Sequence, residues 1–247
     1  MKFTSRSLGS AYLAGLALVG LSAPALAEDR EFSWSMNIGA YSDYIFRGFT
    51  QSDHKPEVQG GLDIAYGILY AGVWASGVDE GFVATDKEID VYAGITPSWG
   101  KLTFDFGVLG YLYPNQIDAI SGGLEVNYLE LKAGAKLAAT DELTLGAVYY
   151  YSPDYSFETG NAHAVEGSAA YALPQCGIFS PVINGVVGWQ EVEESDFEGD
   201  NSYVYWNVGL AVTVEKLTFD FRYWDTELDD TPLADERFVF GAKIVLP

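Results

Sequence analysis

Hydrophobic and polar residues alternate along this chain from Phe32 to its last residue. Between Phe32 and Tyr41, apolar side chains occupy every second position, with Ser, Asn, Gly or Tyr between them. Successive side chains of a β-strand point to opposite faces, so the pattern predicts strands with one apolar and one polar face. The connections between these runs are alternately short and long. This favours an antiparallel barrel that spans a membrane over a soluble sandwich.

The alternation predicts an all-β fold, a transmembrane antiparallel up-and-down β-barrel of about twelve strands bounded by turn residues. With the N-terminus in the periplasm, the connections after even-numbered strands are tight and periplasmic, whereas those after odd-numbered strands face outward. The predicted strands are Phe32–Tyr44, Val58–Tyr66, Leu69–Gly77, Glu88–Thr96, Leu102–Tyr113, Asn127–Leu137, Leu143–Tyr151, Ala162–Ala172, Val182–Gln190, Tyr203–Val214, Leu217–Trp224 and Phe238–Leu246.

The first residues have the pattern of a secretory signal peptide. A basic start precedes an apolar stretch from Leu8 to Leu21, and the small residues Ala25-Leu26-Ala27 offer a cleavage point. We therefore expect a cleaved signal over residues 1–27 and one barrel domain over residues 28–247; a retained N-terminal helix is the alternative. No later segment approaches the roughly 18 apolar residues that a membrane helix requires, so spanning segments have to be strands.

Acidic residues dominate the chain. Without the predicted signal, 11 basic side chains face 35 acidic ones, and such a surface repels phosphate backbones, which excludes nucleic acid as a partner. The predicted outer connections hold 21 of the 35 acidic residues. They form either a solvated rim or a cation-attracting mouth that binds lipopolysaccharide through divalent cations. No connection has the spacing of a calcium-binding loop, so no metal site and no cofactor is predicted.

Aromatic residues gather near the predicted strand ends. Rings with a polar edge favour the headgroup level of a membrane, so we expect two girdles, and a sandwich core is the alternative interpretation. The outer girdle would comprise Tyr41, Tyr44, Phe46, Tyr111, Tyr113, Tyr149, Tyr150, Tyr151, Trp189, Tyr203, Tyr223 and Trp224, and the inner one Tyr66, Tyr70 and Trp99.

The polar face of the alternation is charged with both signs. Such a lumen either braces itself shut through ion pairs or lines a water-filled path that discriminates by charge, and about twelve strands leave room for a narrow pore at most. Asp220 and Arg222 share a face two residues apart, so we expect them to pair. The candidate pore-lining residues are Asp63, Asp90, Asp105, Glu130, Lys132, Lys136, Glu166, Asp220, Arg222 and Lys243.

Three segments of the chain resemble a known family. They read SDYIFRGFTQSDHKPEVQGGLDIAY from Ser42 to Tyr66, GVWASGVD from Gly72 to Asp79 and DVYAGITPSW from Asp90 to Trp99. These segments are similar to the TorF family of porins. The resemblance implies a proteobacterial outer-membrane β-barrel that acts as a porin, and it brings no catalytic or binding residues with it.

Arg47 is a positive charge where the first outer connection begins. We expect it at the rim, either as a constriction or selectivity residue or paired with Asp43 or another rim carboxylate.

Three classes of function fit these features. The first is a narrow channel in the outer membrane through which small hydrophilic solutes or ions diffuse passively, with cations favoured. The alternative is a closed structural or surface-interaction barrel without an open pore. The third is a rim enzyme built on His54, next to Asp53, or on His163, with Ser156 nearby in sequence. No nucleophile-elbow motif supports the enzyme, and no catalytic residue is predicted.

Overall fold

The alternating segments build twelve long antiparallel strands in the computed structural model, which describes residues 32–247. The predicted signal peptide lies outside the described residues. Within those residues, no helix is long and apolar enough to cross a membrane. The strands, labelled β1 to β12, are Phe32–Tyr41, Glu57–Tyr66, Leu69–Gly77, Lys87–Ile95, Leu102–Leu112, Tyr128–Ala138, Leu143–Ser152, Ala162–Ala172, Ser180–Val192, Ser202–Val214, Leu217–Thr226 and Arg237–Leu246.

The twelve strands close into a barrel. Each strand pairs with its neighbours in the sequence, and β1 also pairs with β12, so that Met36 lies opposite Leu246. On its other side β1 pairs with β2 from Phe32 opposite Tyr66 to Tyr41 opposite Glu57. Closure leaves no free sheet edge, and a wall surrounded by lipid requires this because no water is present there to pair with backbone groups. The predicted strand number and topology are confirmed.

The two ends of the barrel differ in the length of their connections. The short-turn end has residues 67–68, 96–101, 139–142, 173–179 and 215–216 between strands, and β1 begins and β12 ends there. The long-loop end has residues 42–56, 78–86, 113–127, 153–161, 193–201 and 227–236. Two four-residue helices, Glu80–Val83 and Asp118–Ser121, and two short 3-10 turns, Ser156–Glu158 and Pro232–Ala234, lie in these long loops.

The outer wall is apolar and the inner face is polar. On β1, Phe32, Trp34, Met36 and Ile38 are exposed on the outside, whereas Gly39 is buried on the inside. This arrangement inverts a soluble barrel and suits a surrounding of lipid.

Most members of the predicted outer aromatic girdle lie inside the barrel, so that prediction is wrong for them. Period two puts neighbours on opposite faces: Tyr149 is 41% exposed on the outer wall, and Tyr150 is 6% exposed on the inner face. The predicted set mixed both faces. The buried members are Tyr44, Tyr111, Tyr113, Tyr150, Tyr203 and Trp224.

Two neighbouring valines of β9 provide a test of the two faces. Val187 is 56% exposed on the outer wall near mid-strand, and Val186 is half-buried on the inner face. In lipid vesicles, we expect Val187→Arg to lower the free energy of unfolding by about 2–4 kcal/mol, because the charge enters the hydrocarbon. Val186→Arg is the matched control, and urea titration should give it a clearly smaller loss. Equal losses would contradict the assignment of the faces.

Candidate functional site

The ten predicted pore-lining residues all lie in barrel strands, and each is next to an exposed apolar residue of the outer wall. Their side chains therefore point to the inner face. Among them, Lys132 Nζ lies 2.8 Å from Asp105 Oδ2 on the adjacent strand, and the Tyr70 hydroxyl donates to Asp105 at 2.8 Å. Lys136 forms no salt bridge within the described part of the chain.

Tyrosine rings lie along the inner wall instead of standing across the lumen. The Tyr92 ring covers Gly72 on the adjacent strand, where a Cβ would collide with it, and its hydroxyl donates to Asp63 at 2.5 Å. Glycine therefore leaves the space that lets the ring lie flat.

Arg222 joins three adjacent strands inside the barrel. Its guanidinium donates to Asp220 on β11 at 2.9 and 3.1 Å, to Asn207 on β10 at 2.5 Å and to Asn184 on β9 at 2.7 Å. The expected pair of Asp220 and Arg222 is therefore formed. Neither asparagine is among the predicted pore-lining residues, although both occupy polar positions of the alternation.

The connection after β1, residues 42–56, folds into the barrel; we call it the inward hairpin. Its two short strands, Ile45–Phe46 and Phe49–Thr50, pair with each other, and Arg47 and Gly48 form the turn with φ of 48° and 90°. At its base, Asp43 accepts hydrogen bonds from the Thr50 hydroxyl at 2.5 Å and the Ser52 hydroxyl at 2.8 Å. A pre-formed turn thus directs the tip inward.

Arg47 at the hairpin tip reaches the opposite wall. Its two terminal nitrogens lie 2.7 and 2.9 Å from the two carboxylate oxygens of Glu130 on β6, a bidentate pair, and its guanidinium lies 4.8 Å from the ring centre of Tyr150 on β7. The Tyr203 hydroxyl on β10 donates to the Arg47 carbonyl at 2.9 Å. Since β7 is diametrically opposite β1 in the strand order, the hairpin crosses the lumen.

Arg47 is thus 4% exposed and pairs with Glu130 on the inner face of β6, two residues from the long-loop end of that strand, and not with a carboxylate of its own loop. Asp43, its expected partner, instead lies 3.3 Å from Arg237 at the start of β12. Arg47 does not reach Asp43 because it lies in the turn at the tip of the hairpin, whereas Asp43 lies at the base.

Apolar packing fills the long-loop end around the hairpin. The Phe49 ring contacts Phe82, Phe197 and Tyr203, at ring-centre distances of 6.4, 6.1 and 5.2 Å. Phe46 lies 5.9 Å from Tyr111 on β5. Two buried clusters form there, one with Val83, Ala84, Val126, Tyr128 and Tyr150 and one with Ile45, Tyr205, Trp224, Leu228 and Val239 among their members.

The long loops are joined into a closed ring by contacts between neighbours. Glu198 accepts hydrogen bonds from the backbone N–H groups of Asp230 and Asp229, and these bonds lower the pKa of its carboxyl group. Part of the acidic rim therefore fastens loops together. The contacts join Gln51 to Asp79, Ala84 to Ile117, Val126 to Ser156, Asn161 to Glu193, Glu198 to Asp230 and Asp43 to Arg237.

Water access to the inner face falls from the short-turn end to the long-loop end. Along β6, Lys132 and Lys136 are half-buried, whereas Tyr128 and Glu130 are buried. Along β1, Ser33 is exposed and Gly39 is buried. The lumen near the short turns is therefore a polar vestibule, lined by residues such as Ser33, Ser35, Asp105, Lys132 and Lys136, which ends at the inward hairpin.

The residues considered for a rim enzyme do not assemble. His163 bonds the Tyr149 hydroxyl at 2.7 Å on the outer wall, whereas the Ser156 hydroxyl donates to the Val126 carbonyl at 3.2 Å. His54 lies 2.7 Å from Arg237 at the loop surface. In the described residues, no group of three or more His, Cys, Asp or Glu side chains is arranged to hold a metal ion.

Several solved structures with a similar fold are outer-membrane porins or channels. The KdgM porin in complex with disordered oligogalacturonate matches with a TM-score of 0.58 and 8% identity over 85% of this chain and 98% of its own. The outer-membrane channel COG4313 from Pseudomonas putida F1 gives 0.52 and 12% over 90% and 98%. The NanC porin gives 0.51 and 13% over 86% and 98%. These likenesses concern the fold.

No curated protein matches the chain in sequence. Residues 26–243, almost the whole described barrel, match a family described as bacterial protein of unknown function (Gcw_chp). This match does not confirm the TorF resemblance. The chain belongs to the Gcw_chp family, and its structure is a twelve-stranded barrel like those of porins.

Proposed function

We propose that the protein is an outer-membrane porin, a narrow channel through which small hydrophilic solutes or ions diffuse passively, with cations favoured. The observation that carries the proposal is the polar vestibule inside a closed barrel with an apolar outer wall. Lys132 and Lys136 keep partial access to water there, which a lumen packed shut along its whole length would not leave. The fold of the similar porins and channels supports the same function.

The proposed location of the protein in the outer membrane, and its orientation there, follow from the apolar outer wall and from the unequal lengths of the loops. The apolar outer wall lies in the outer membrane, the short turns face the periplasm, and the long acidic loops face outward, after export through a cleaved signal peptide. Outward carboxylates such as Glu194, Asp196 and Asp229 suit divalent cations, which would bridge them to anionic lipopolysaccharide.

A preference for cations follows from the charge of the inner face. Carboxylates outnumber basic side chains there, and the low-dielectric wall around the lumen strengthens their effect on a passing ion. KdgM was solved with oligogalacturonate, a polyanion, which this inner face would repel. The carboxylates are Glu57, Asp63, Glu88, Asp90, Asp105, Glu130, Glu166 and Asp220, and the basic residues are Lys132, Lys136, Arg222, Arg237 and Lys243 on the wall and Arg47 on the inward hairpin.

A closed structural or surface-interaction barrel is the second candidate. The observation that favours it is the packed long-loop end, where the inward hairpin buries Arg47 against Glu130. The two candidates differ in whether ions pass the hairpin.

The purified full-length chain in a planar lipid bilayer separates the two candidates. We expect stepwise currents, with conductance steps smaller than those of wide porins, because twelve strands enclose a narrow lumen. In a potassium chloride gradient, the reversal potential should have the sign of a cation-selective channel. A bilayer that stays silent at all voltages would overturn the proposed function, and an anion-selective current would overturn the ion preference.

Lys136 offers a test of where ions pass. It is half-buried in the vestibule and forms no salt bridge in the described structure, so Lys136→Glu should move the reversal potential further toward that of potassium. Lys216→Glu, in the exposed turn between β10 and β11, makes the same charge change outside the lumen and is the control. Equal shifts in the two variants would show that the current does not pass through the vestibule.

A further inference from the structure

The inward hairpin stands directly in the path that a solute would take. It begins and ends on the adjacent strands β1 and β2. Its tip contacts strands on the opposite part of the wall and also strands on one flank of the barrel. Phe46 and Arg47 meet β5, β6 and β7, whereas Gly48 lies against Tyr205 on β10 and Thr226 on β11. The vestibule therefore ends where these contacts begin.

The hairpin tip is held by side chains and not by the sheet. Its strands Ile45–Phe46 and Phe49–Thr50 form a two-stranded sheet of their own, separate from the barrel wall. The contacts of the tip with the wall are the bidentate pair of Arg47 and Glu130, the hydrogen bond from Tyr203 to the Arg47 carbonyl and ring packing. Side-chain contacts can be released without opening the barrel, because none of the wall's backbone pairing depends on them.

The pair of Arg47 and Glu130 dominates this attachment. Both side chains are almost fully buried, at 3% and 1% exposure, so each charge depends on the other for compensation. If the contact breaks, both groups need water, and movement of the tip would hydrate both at once. A buried pair of this kind favours two discrete states, tip docked or tip released, over intermediate positions.

We propose that the inward hairpin is the gate of this channel, with the pair of Arg47 and Glu130 as its latch: the docked tip closes or narrows the lumen, and release of the tip opens it. This rests on the proposed function, since a gate needs a conducting path.

A disulfide can lock the tip in place. A Cβ built at Gly48 lies 3.8 Å from Thr226 Cβ on β11, within the usual disulfide range of about 3.5–4.5 Å. Cys176 is the single native cysteine and is replaced by serine first, so that Gly48→Cys with Thr226→Cys can form the intended bond alone. The chain with Gly48→Cys but not Thr226→Cys is the matched control, because it has the same strained side chain at position 48, where φ is 90°.

In bilayer recordings, the oxidised double-cysteine chain should lose most of its open-channel current, and a reductant should restore it. The control should not respond to either treatment. Equal currents in the oxidised and reduced double-cysteine chain, with the bond verified by mass spectrometry, would overturn the gate while leaving the porin function intact.

A second test weakens the latch from the wall. Glu130→Gln keeps the size of the side chain but removes the charge that compensates Arg47, so open probability or conductance should rise severalfold. Glu215→Gln is the control, since it makes the same exchange in the exposed turn between β10 and β11, outside the lumen. Exchange of the two charges, Arg47→Glu with Glu130→Arg, should bring the current back toward that of the parent chain.

The outcomes separate the two proposals. A parent chain that conducts weakly, with a Glu130→Gln chain that conducts severalfold more, supports both the gate and the porin function. Conduction that is equal in the parent, Glu130→Gln and Glu215→Gln overturns the gate alone. Silence in all of these chains, including the reduced double-cysteine chain, overturns the proposed function and the gate with it.

Discussion

The structure depends on the need to pair every backbone N–H and C=O of the wall within the protein. Lipid offers no hydrogen-bond partner to these groups. A closed ring of antiparallel strands gives every strand a neighbour on each side, and the pairing of β1 with β12 completes the ring. Once the ring closes, period two divides the side chains into an apolar outer wall and a polar inner face. The lumen is thus a consequence of closure. The side chains at the inward-facing strand positions and the segments of the loops that fold inward determine what fills it.

The residues that fill the lumen differ between the short-turn end and the long-loop end. Near the short turns, the charged residues of the inner face keep partial contact with water. Near the long loops, the inward hairpin, the aromatic cluster around Phe49 and the ring of joined loops form a packed interior like that of a soluble domain. The protein combines a half whose inner face is partly accessible to water with a packed half. This explains why the candidate functions divide between a channel and a closed barrel.

The strands could be predicted because lipid enforces their pattern so strongly. The bounds of β3, Leu69–Gly77, and of β8, Ala162–Ala172, are those expected from the sequence, although β8 is rich in alanine. The hairpin could not be predicted in the same way. Tyr44, Ile45 and Phe46 continue the apolar character of β1, so the first strand was expected to run to Tyr44, whereas it ends at Tyr41.

The partners within the lumen were predictable only where they are local. Asp220 and Arg222 are two residues apart on one strand, but Arg47 and Glu130 are separated by 83 residues, and no short-range pattern connects them. One signal was available: Ile45, Phe46 and Phe49 are too apolar for a solvated outer loop, which indicates a segment that packs against something. The prediction of the outer aromatic girdle was wrong for a simpler reason. Adjacent tyrosines of one strand, such as Tyr149 and Tyr150, cannot lie on the same face.

The central claim is that the inward hairpin, and not the barrel wall, limits passage through the lumen. The most direct measurement is the single-channel conductance of a chain in which residues 45–50 are replaced by an Asn-Gly turn, a sequence that closes a hairpin in two residues. The account predicts a larger conductance than that of the parent chain, with the barrel still folded. An unchanged conductance would contradict it.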